Sequence, residues 1–384
     1  MNISNHRARA ALVFLLAFLI IWSRATTRLE QGFLWAEDAP IFILQAHQLG
    51  LRAVLTNYAG YLHLIPRLIA ETQRAIVPFN ATPYFFVWCS AALTSGACAY
   101  IAFALRQVTP VTAAFMGLAP VLAPQNGEVL LSITYLQWVL LPALLVLLWE
   151  AIFEGQGRRS LPRIIAVGLL TLTGPFGVLL MPAVAIAIAL RRLRPAAGTI
   201  NWPIVVTYFV AVAVQTVVML RHPQAPKGVH DVPWVTWMTQ AMFTDFLPSV
   251  LATTMAGYLF AALLIGVCVL SRARLLFAWL LYFSVLLWGL GITRVAPPVQ
   301  IAWYGTGARY VYPWGIFMLW TLTLSIVNTR ITSLRPIAAV LIFVILLASG
   351  ERFEAQLLQQ WEIRSGATSY HVTVPPGWSI DVAR

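Results

Sequence analysis

Charge is what this chain has least of. Only 10% of its 384 residues are Asp, Glu, Lys or Arg, against roughly 25% in an average soluble domain. So few charged side chains do not cover a water-soluble surface of this size. A soluble globular enzyme, a disordered chain and a DNA-binding module are excluded. Lysine is almost missing, with Lys227 alone beside the arginines, and acids number 13 in all. The cysteines, Cys89, Cys98 and Cys268, sit inside apolar runs without C-x-x-C spacing. They read as small buried hydrophobes rather than a disulfide framework or metal knuckle. G-x-S-x-G, Walker A and H-E-x-x-H patterns are absent too, which removes the sequence support for nucleotide-dependent or zincin chemistry.

What is there is apolar: 60% of the residues are hydrophobic. A membrane-spanning helix needs about 20 mostly apolar residues, and candidate runs lie near 10–23, 84–105, 110–124, 130–149, 164–190, 203–220, 250–270, 275–292, 311–328 and 336–349. Run 164–190 has arginines at both ends (Arg158, Arg159, Arg163; Arg191, Arg192, Arg194) and helix breakers, Gly174-Pro175 and Gly177, in the middle. It reads as two short helices turning back within the membrane domain. The fold expected is an all-α polytopic membrane protein with about eleven transmembrane helices. The net charge of +12 would suggest nucleic acid in a soluble protein. Here arginine-rich cytoplasmic loops (Arg7, Arg9, Arg106, Arg272, Arg274, Arg330, Arg335) account for much of it, so no nucleic-acid partner is expected. The same bias sets the N-terminus inside; residues 1–23 read as a retained helix rather than a cleaved signal, given the polar segment that follows, and the odd span count then leaves the C-terminus outside. Residues 1–349 form the membrane domain, 24–83 its long first external loop, and 350–384 a short external tail.

Long loops usually carry function, and the first one holds an adjacent acid pair, Glu37-Asp38. Like charges side by side raise a carboxylate pKa and suit a general base. Acids before the apolar run 41–44 also suit a helix start. Further on, Tyr61, Leu64, Ile65, Leu68 and Ile69 fit an apolar helical stripe, with His63, Arg67 and Glu71 four apart on another face. Pro66 suits a helix start. This predicts an amphipathic helix on the outer membrane surface, where membrane lipids are its partner. A guanidinium at headgroup level suits a phosphate. Glu128 stands in a very short turn, Pro124–Glu128, shortly before Gln137-Trp138. Arg309 follows the Gly305-Thr306-Gly307 run, where backbone can approach a ligand. His230-Asp231 has no second cluster of ligating residues, so no metal site is expected.

These residues together resemble the C-type (GT-C) integral-membrane glycosyltransferases, bacterial enzymes that use a polyprenyl-phosphate sugar donor. The resemblance rests on a first external loop directly after helix one, its acidic pair Glu37-Asp38 followed by Ala39, amphipathic surface helices within it, short membrane helices around 173–182, and Arg309-Tyr310 before a late helix. It covers the topology of nearly the whole chain. It implies an inverting transfer at the periplasmic face of the bacterial inner membrane, from a polyprenyl-phosphate sugar to a hydroxyl of a glycan or lipid acceptor. Glu37 or Asp38 would be the base. Arg67, Arg309 and His63 would hold the donor phosphate. Glu128, Tyr61, Tyr310 and Gln137 would face the sugar or acceptor. The scheme needs neither metal nor other cofactor. Two departures stand: the family's pair commonly reads Asp-Glu, which leaves the base open between the two positions, and the tail is too short for a large soluble domain. The alternatives are a lipid-linked sugar flippase or transporter, and a transferase similar to the O-antigen ligases.

Overall fold

The computed structural model describes residues 3–125, 127–154, 161–193, 199–224, 242–271, 281–282, 286, 308–329, 331–353, 361–375 and 377–383. The expected span 275–292, the Gly305–Gly307 run and His230-Asp231 fall outside, or almost wholly outside, these residues. The chain is mostly helical: α1 (Ile3–Gln31), α2 (Leu44–Leu49), α3 (Leu64–Ile76), α4 (Thr82–Ala104), α5 (Pro110–Leu122), α6 (Leu136–Trp149), α7 (Leu161–Thr171), α8 (Phe176–Arg192), α9 (Trp202–Arg221), α10 (Thr254–Leu270), α11 (Ala308–Asn328) and α12 (Leu334–Phe353). Among the described residues six helices are long and apolar enough to cross a membrane, or seven if the bent pair α7–α8 counts as one span. α5 and α10 are shorter apolar helices. Long spans leave apolar side chains uncovered, such as Leu12, Leu15 and Leu19 on α1 and Val206, Val210 and Val217 on α9. Lipid satisfies such faces while the helical backbone satisfies itself. The chain is a multi-pass helical membrane protein.

Two compact units divide it. The first comprises residues 1–24, 98–129 and 225–358. There α5 opens on Thr109, whose hydroxyl accepts from the Thr112 N–H at 3.3 Å. Indole and phenol donors stitch the helices: Tyr312 Oη to the Pro120 carbonyl at 2.7 Å and Trp320 Nε1 to that of Met116 at 2.8 Å. Both acceptors lie within α5, where Pro120 provides no N–H to the ladder.

The second unit comprises residues 25–97, 130–224 and 359–384. α1 breaks at Ala25 (φ −138°, ψ 37°) and continues to Gln31, so the first loop starts later than residue 24. The bent pair turns through 119° between Thr171 and Phe176, where breakers were expected. Its tip is a building part, not a free bend. Leu64 N–H donates to the Leu172 carbonyl (3.2 Å) and Ile65 N–H to Thr173 Oγ1 (3.1 Å), so the tip caps the first turn of α3. Gln215 clamps it from α9, donating to the Gly174 and Leu62 carbonyls at 2.8 and 3.2 Å and accepting from the Leu62 N–H at 3.1 Å. Gly174 has φ +144°, and a Cβ there would collide with Gln137 Oε1. Gly174→Ala is therefore expected to cost about 2 kcal/mol or more from strain and overpacking, read as a lower unfolding midpoint of the purified protein.

One expected span is shorter than its apolar run. The run 130–149 is not helical throughout: α6 begins at Leu136, and residues 130–135 form a buried irregular segment. Irregular backbone inside a membrane protein needs internal partners, and the side chains named below provide them. The tail, expected only as a short external segment, carries an antiparallel sheet in the order β1 (Glu362–Ser365), β2 (Ser369–Val374), β3 (Trp378–Ala383). Val372, Val374 and Val382 are buried beneath it. The sheet seats on the first-loop segment, with Tyr370 stacked on Phe79 (4.2 Å between centroids), Trp361 Nε1 bonded to the Gly32 carbonyl (2.9 Å) and Ala36 N–H to that of Pro375 (2.8 Å).

Candidate functional site

The acid pair lies in a tight turn between α1 and α2. Ala36 precedes it with φ +39°, a left-handed value that costs a residue with a Cβ energy. Ala59 (φ 51°) and Leu131 (φ 68°), the other non-glycine residues in that region, adjoin Gly60-Tyr61 and Ser132. All three stand in the second unit beside the polar residues of interest. Local strain of this kind persists only where surroundings over-determine it, and it concentrates at functional sites.

The two carboxylates have opposite settings. Asp38 is fully buried. Its Oδ2 accepts from the Trp35 N–H at 2.9 Å, and its Oδ1 from the Thr134 N–H and Oγ1 at 3.1 and 2.7 Å. Ser132 Oγ adds a contact at 3.3 Å to both oxygens. These donors tie the turn to the irregular 130–135 segment, and burial closes the carboxylate to an outside hydroxyl. Burial pushes the Asp38 carboxyl up to about 7, against the lowering effect of the Thr134 and Trp35 donors. Glu37 is half-buried; its Oε1 accepts from the Tyr58 hydroxyl at 3.1 Å, and its Oε2, itself buried, has no hydrogen-bond partner among the described residues.

Asp38→Asn leaves an amide N–H₂ facing donors, so it is expected to lower stability by about 2–4 kcal/mol, measured by thermal unfolding. The pH dependence has a definite sign. The folded value of about 7 exceeds the ordinary 3.8, so the folded protein takes up this proton first. Asp38 then adds stability as pH falls from about 7 toward 4 and costs stability above 7. The wild-type midpoint should rise over that interval relative to Asp38→Asn.

α3 turns three of its polar residues inward and leaves Thr72 and Arg74 outside. Arg67, Glu71 and Gln73 are buried, while Leu68 and Ile76 are exposed. The exposed Leu68 and Ile76 suit a helix whose apolar edge meets lipid. Glu71 is committed to Arg74, with Nε to Oε2 at 3.0 Å and Nη2 to Oε1 at 2.5 Å. Among the described residues no carboxylate pairs with Arg67. It is 1% exposed; Nη2 donates to Gln45 Oε1 at 2.8 Å, and Nε and Nη1 have no partner. Its guanidinium lies 5.6 Å from the Phe42 ring centroid, and desolvation lowers it to about 10.

His63 joins the two halves of this cluster. Its ring packs on Tyr61 (4.6 Å), Tyr58 (5.6 Å) and Phe42 (5.7 Å). Neither ring nitrogen has a hydrogen bond of normal geometry. Burial first, and the Arg67 charge second, hold it down to about 3, with a small opposing effect of the Tyr58 backbone. It is a neutral imidazole at physiological pH, so the expected phosphate contact is limited to a single N–H.

The remaining expected residues lie elsewhere. In the first unit Arg309 is ion-paired with Glu128, and its guanidinium is 5.0 Å from the Tyr310 ring centroid. A charge already paired with a buried carboxylate is less available to a phosphate than Arg67 is, and Glu128 is less available to a sugar hydroxyl. Gln137 packs against Gly174, with Oε1 lacking a hydrogen bond. Among the described residues no three His, Cys, Asp or Glu side chains converge as metal ligands would. Sequence reasoning missed Ser132, Thr134, Tyr58 and Gln45. The β-branched run Val129–Tyr135, with hydroxyls two apart, carried a signal for extended chain. Nothing marked Tyr58 or Gln45.

No family model, curated protein or solved structure matches the chain.

Proposed function

We propose that the chain is an inverting glycosyltransferase that takes its sugar from a polyprenyl-phosphate donor, on a GT-C-like scaffold with about eleven spans. The observation that carries this reading is one cluster holding, among the described residues, a buried guanidinium without an anion and a carboxylate with a buried, unbonded oxygen. An uncompensated buried charge is costly and calls for a counter-ion. In this reading the donor phosphate meets Arg67. Glu37 Oε2 takes the proton of the acceptor hydroxyl, and the hydroxyl oxygen bonds to the anomeric carbon from the face opposite the phosphate. The anomeric C–O bond to phosphate breaks, and Arg67 stabilises the departing charge. Asp38 positions the turn. Tyr58, Tyr61 and neutral His63 offer rings and one N–H to a sugar. The tail sheet and first loop lie together, which agrees with an odd number of spans and an external, periplasmic site on a bacterial inner membrane.

The test is incubation of the purified protein with a synthetic short-chain prenyl-phosphate sugar and candidate glycan or lipid acceptors. Loss of the sugar from the donor, with free prenyl phosphate and an inverted glycoside as products, supports the reading. Movement of intact donor across a vesicle without its consumption would favour a flippase instead.

A further inference from the structure

A second cationic cluster stands in the first unit, with no part in the chemistry above. On the first turns of α1, Arg9 is 7% exposed, as is His6. Arg9 Nη2 meets His6 Nδ1 at 3.0 Å and reaches the Leu105 carbonyl, just past the end of α4, at 3.5 Å. Its Nε and Nη1 are buried and have no partner. The residue after Leu105 is Arg106, whose guanidinium lies 4.7 Å from the Phe103 ring centroid and whose Nε is also buried and bare. Among the described residues no carboxylate pairs with either arginine.

Arginines that only set topology have no reason to be buried, since exposed ones such as Arg7 do the same work. A carbonyl at the end of α4 suits one N–H of Arg9, but it leaves two nitrogens desolvated and unmatched, a cost an anion would offset. We propose that Arg9, Arg106 and His6 form a phosphate site, distinct in residues from the Arg67 cluster. It takes the phosphate of an anionic phospholipid headgroup or free inorganic phosphate. Its arginines belong to the face the arginine bias assigns to the cytoplasm, where anionic headgroups attract basic segments.

The test uses the full-length protein in neutral detergent, titrated separately with short-chain phosphatidylglycerol and inorganic phosphate and followed by tryptophan fluorescence. Saturable binding of phosphatidylglycerol alone identifies a headgroup site; equal binding of inorganic phosphate identifies a free-anion site. In either case Arg9→Gln and Arg106→Gln should each weaken binding roughly tenfold or more, the worth of a charge-assisted hydrogen bond. Arg7→Gln should bind as wild type. Removing an uncompensated charge should leave the Arg9 variant folded; if it does not fold, Arg106→Gln carries the comparison. Absence of saturable binding, wild-type affinity in the glutamine variants that fold, or an equal loss in Arg7→Gln would overturn the proposal.

Discussion

Glu37→Gln is expected to abolish sugar transfer while leaving the protein folded and the donor bound. The amide keeps an oxygen for the Tyr58 hydroxyl, the one hydrogen bond Glu37 accepts in the structure. What it loses is the capacity to take a proton at the second position. General-base catalysis is typically worth 10²–10⁴-fold, so turnover should fall by about two to four orders of magnitude with donor affinity unchanged. Asp38→Asn should lose activity differently, through lower stability and a smaller folded fraction, because Asp38 has no oxygen open to an acceptor. Wild-type turnover in Glu37→Gln would remove Glu37 as the base. The measurement is a single-turnover assay on membranes normalised to folded protein.

Arg67→Met should separate stability from activity. A buried guanidinium with no counter-ion carries a desolvation cost of several kcal/mol. Replacing it by an apolar side chain of similar length removes that cost. Gln45 Oε1 then loses its donor, worth about 1–3 kcal/mol. The first effect is the larger, so without ligand the variant should be as stable as wild type or more so. Activity should move the other way. Loss of the group that stabilises the departing phosphate should cost on the order of 10²–10³-fold in turnover. If Arg67 were merely a tie between α3 and Gln45, the variant would be less stable and, once folded, fully active.

The polytopic class was legible in the sequence because spans announce themselves by length and hydropathy, and 174–177 announced its bend through Gly174 and Pro175. The arrangement inside the first loop was less so. The inward turn of Arg67 and Glu71 reverses the rule that charges face outward, since Leu68 and Ile76 take part of the exposed side of α3 and suit lipid. Ser132 and Thr134 lay hidden in a run long enough to count as a span, although helix α6 starts only at Leu136. The tail's alternating Tyr370–Val374 and Ile380–Val382, bounded by Gly366 and Gly377, carried a period of two that was readable as strands. Its seat on Phe79 and Ala36 was not, because such contacts join Tyr370 to Phe79 and Pro375 to Ala36, about three hundred positions or more apart in sequence. The acid pair was visible as a pair; which oxygen is left without a hydrogen bond is decided by Trp35, Tyr58, Ser132 and Thr134, from three separate stretches of chain.

The central claim is that Arg67 waits for the phosphate of a lipid-linked donor. The most direct measurement is the unfolding midpoint of wild type and Arg67→Met, each alone, with a short-chain prenyl phosphate and with the matching prenyl alcohol. A ligand that binds only the folded state raises the midpoint by mass action. Prenyl phosphate should raise the wild-type midpoint, the alcohol should not, and Arg67→Met should respond to neither while starting at or above the wild-type value. Equal shifts with phosphate and alcohol, or an unchanged phosphate shift in Arg67→Met, would contradict it.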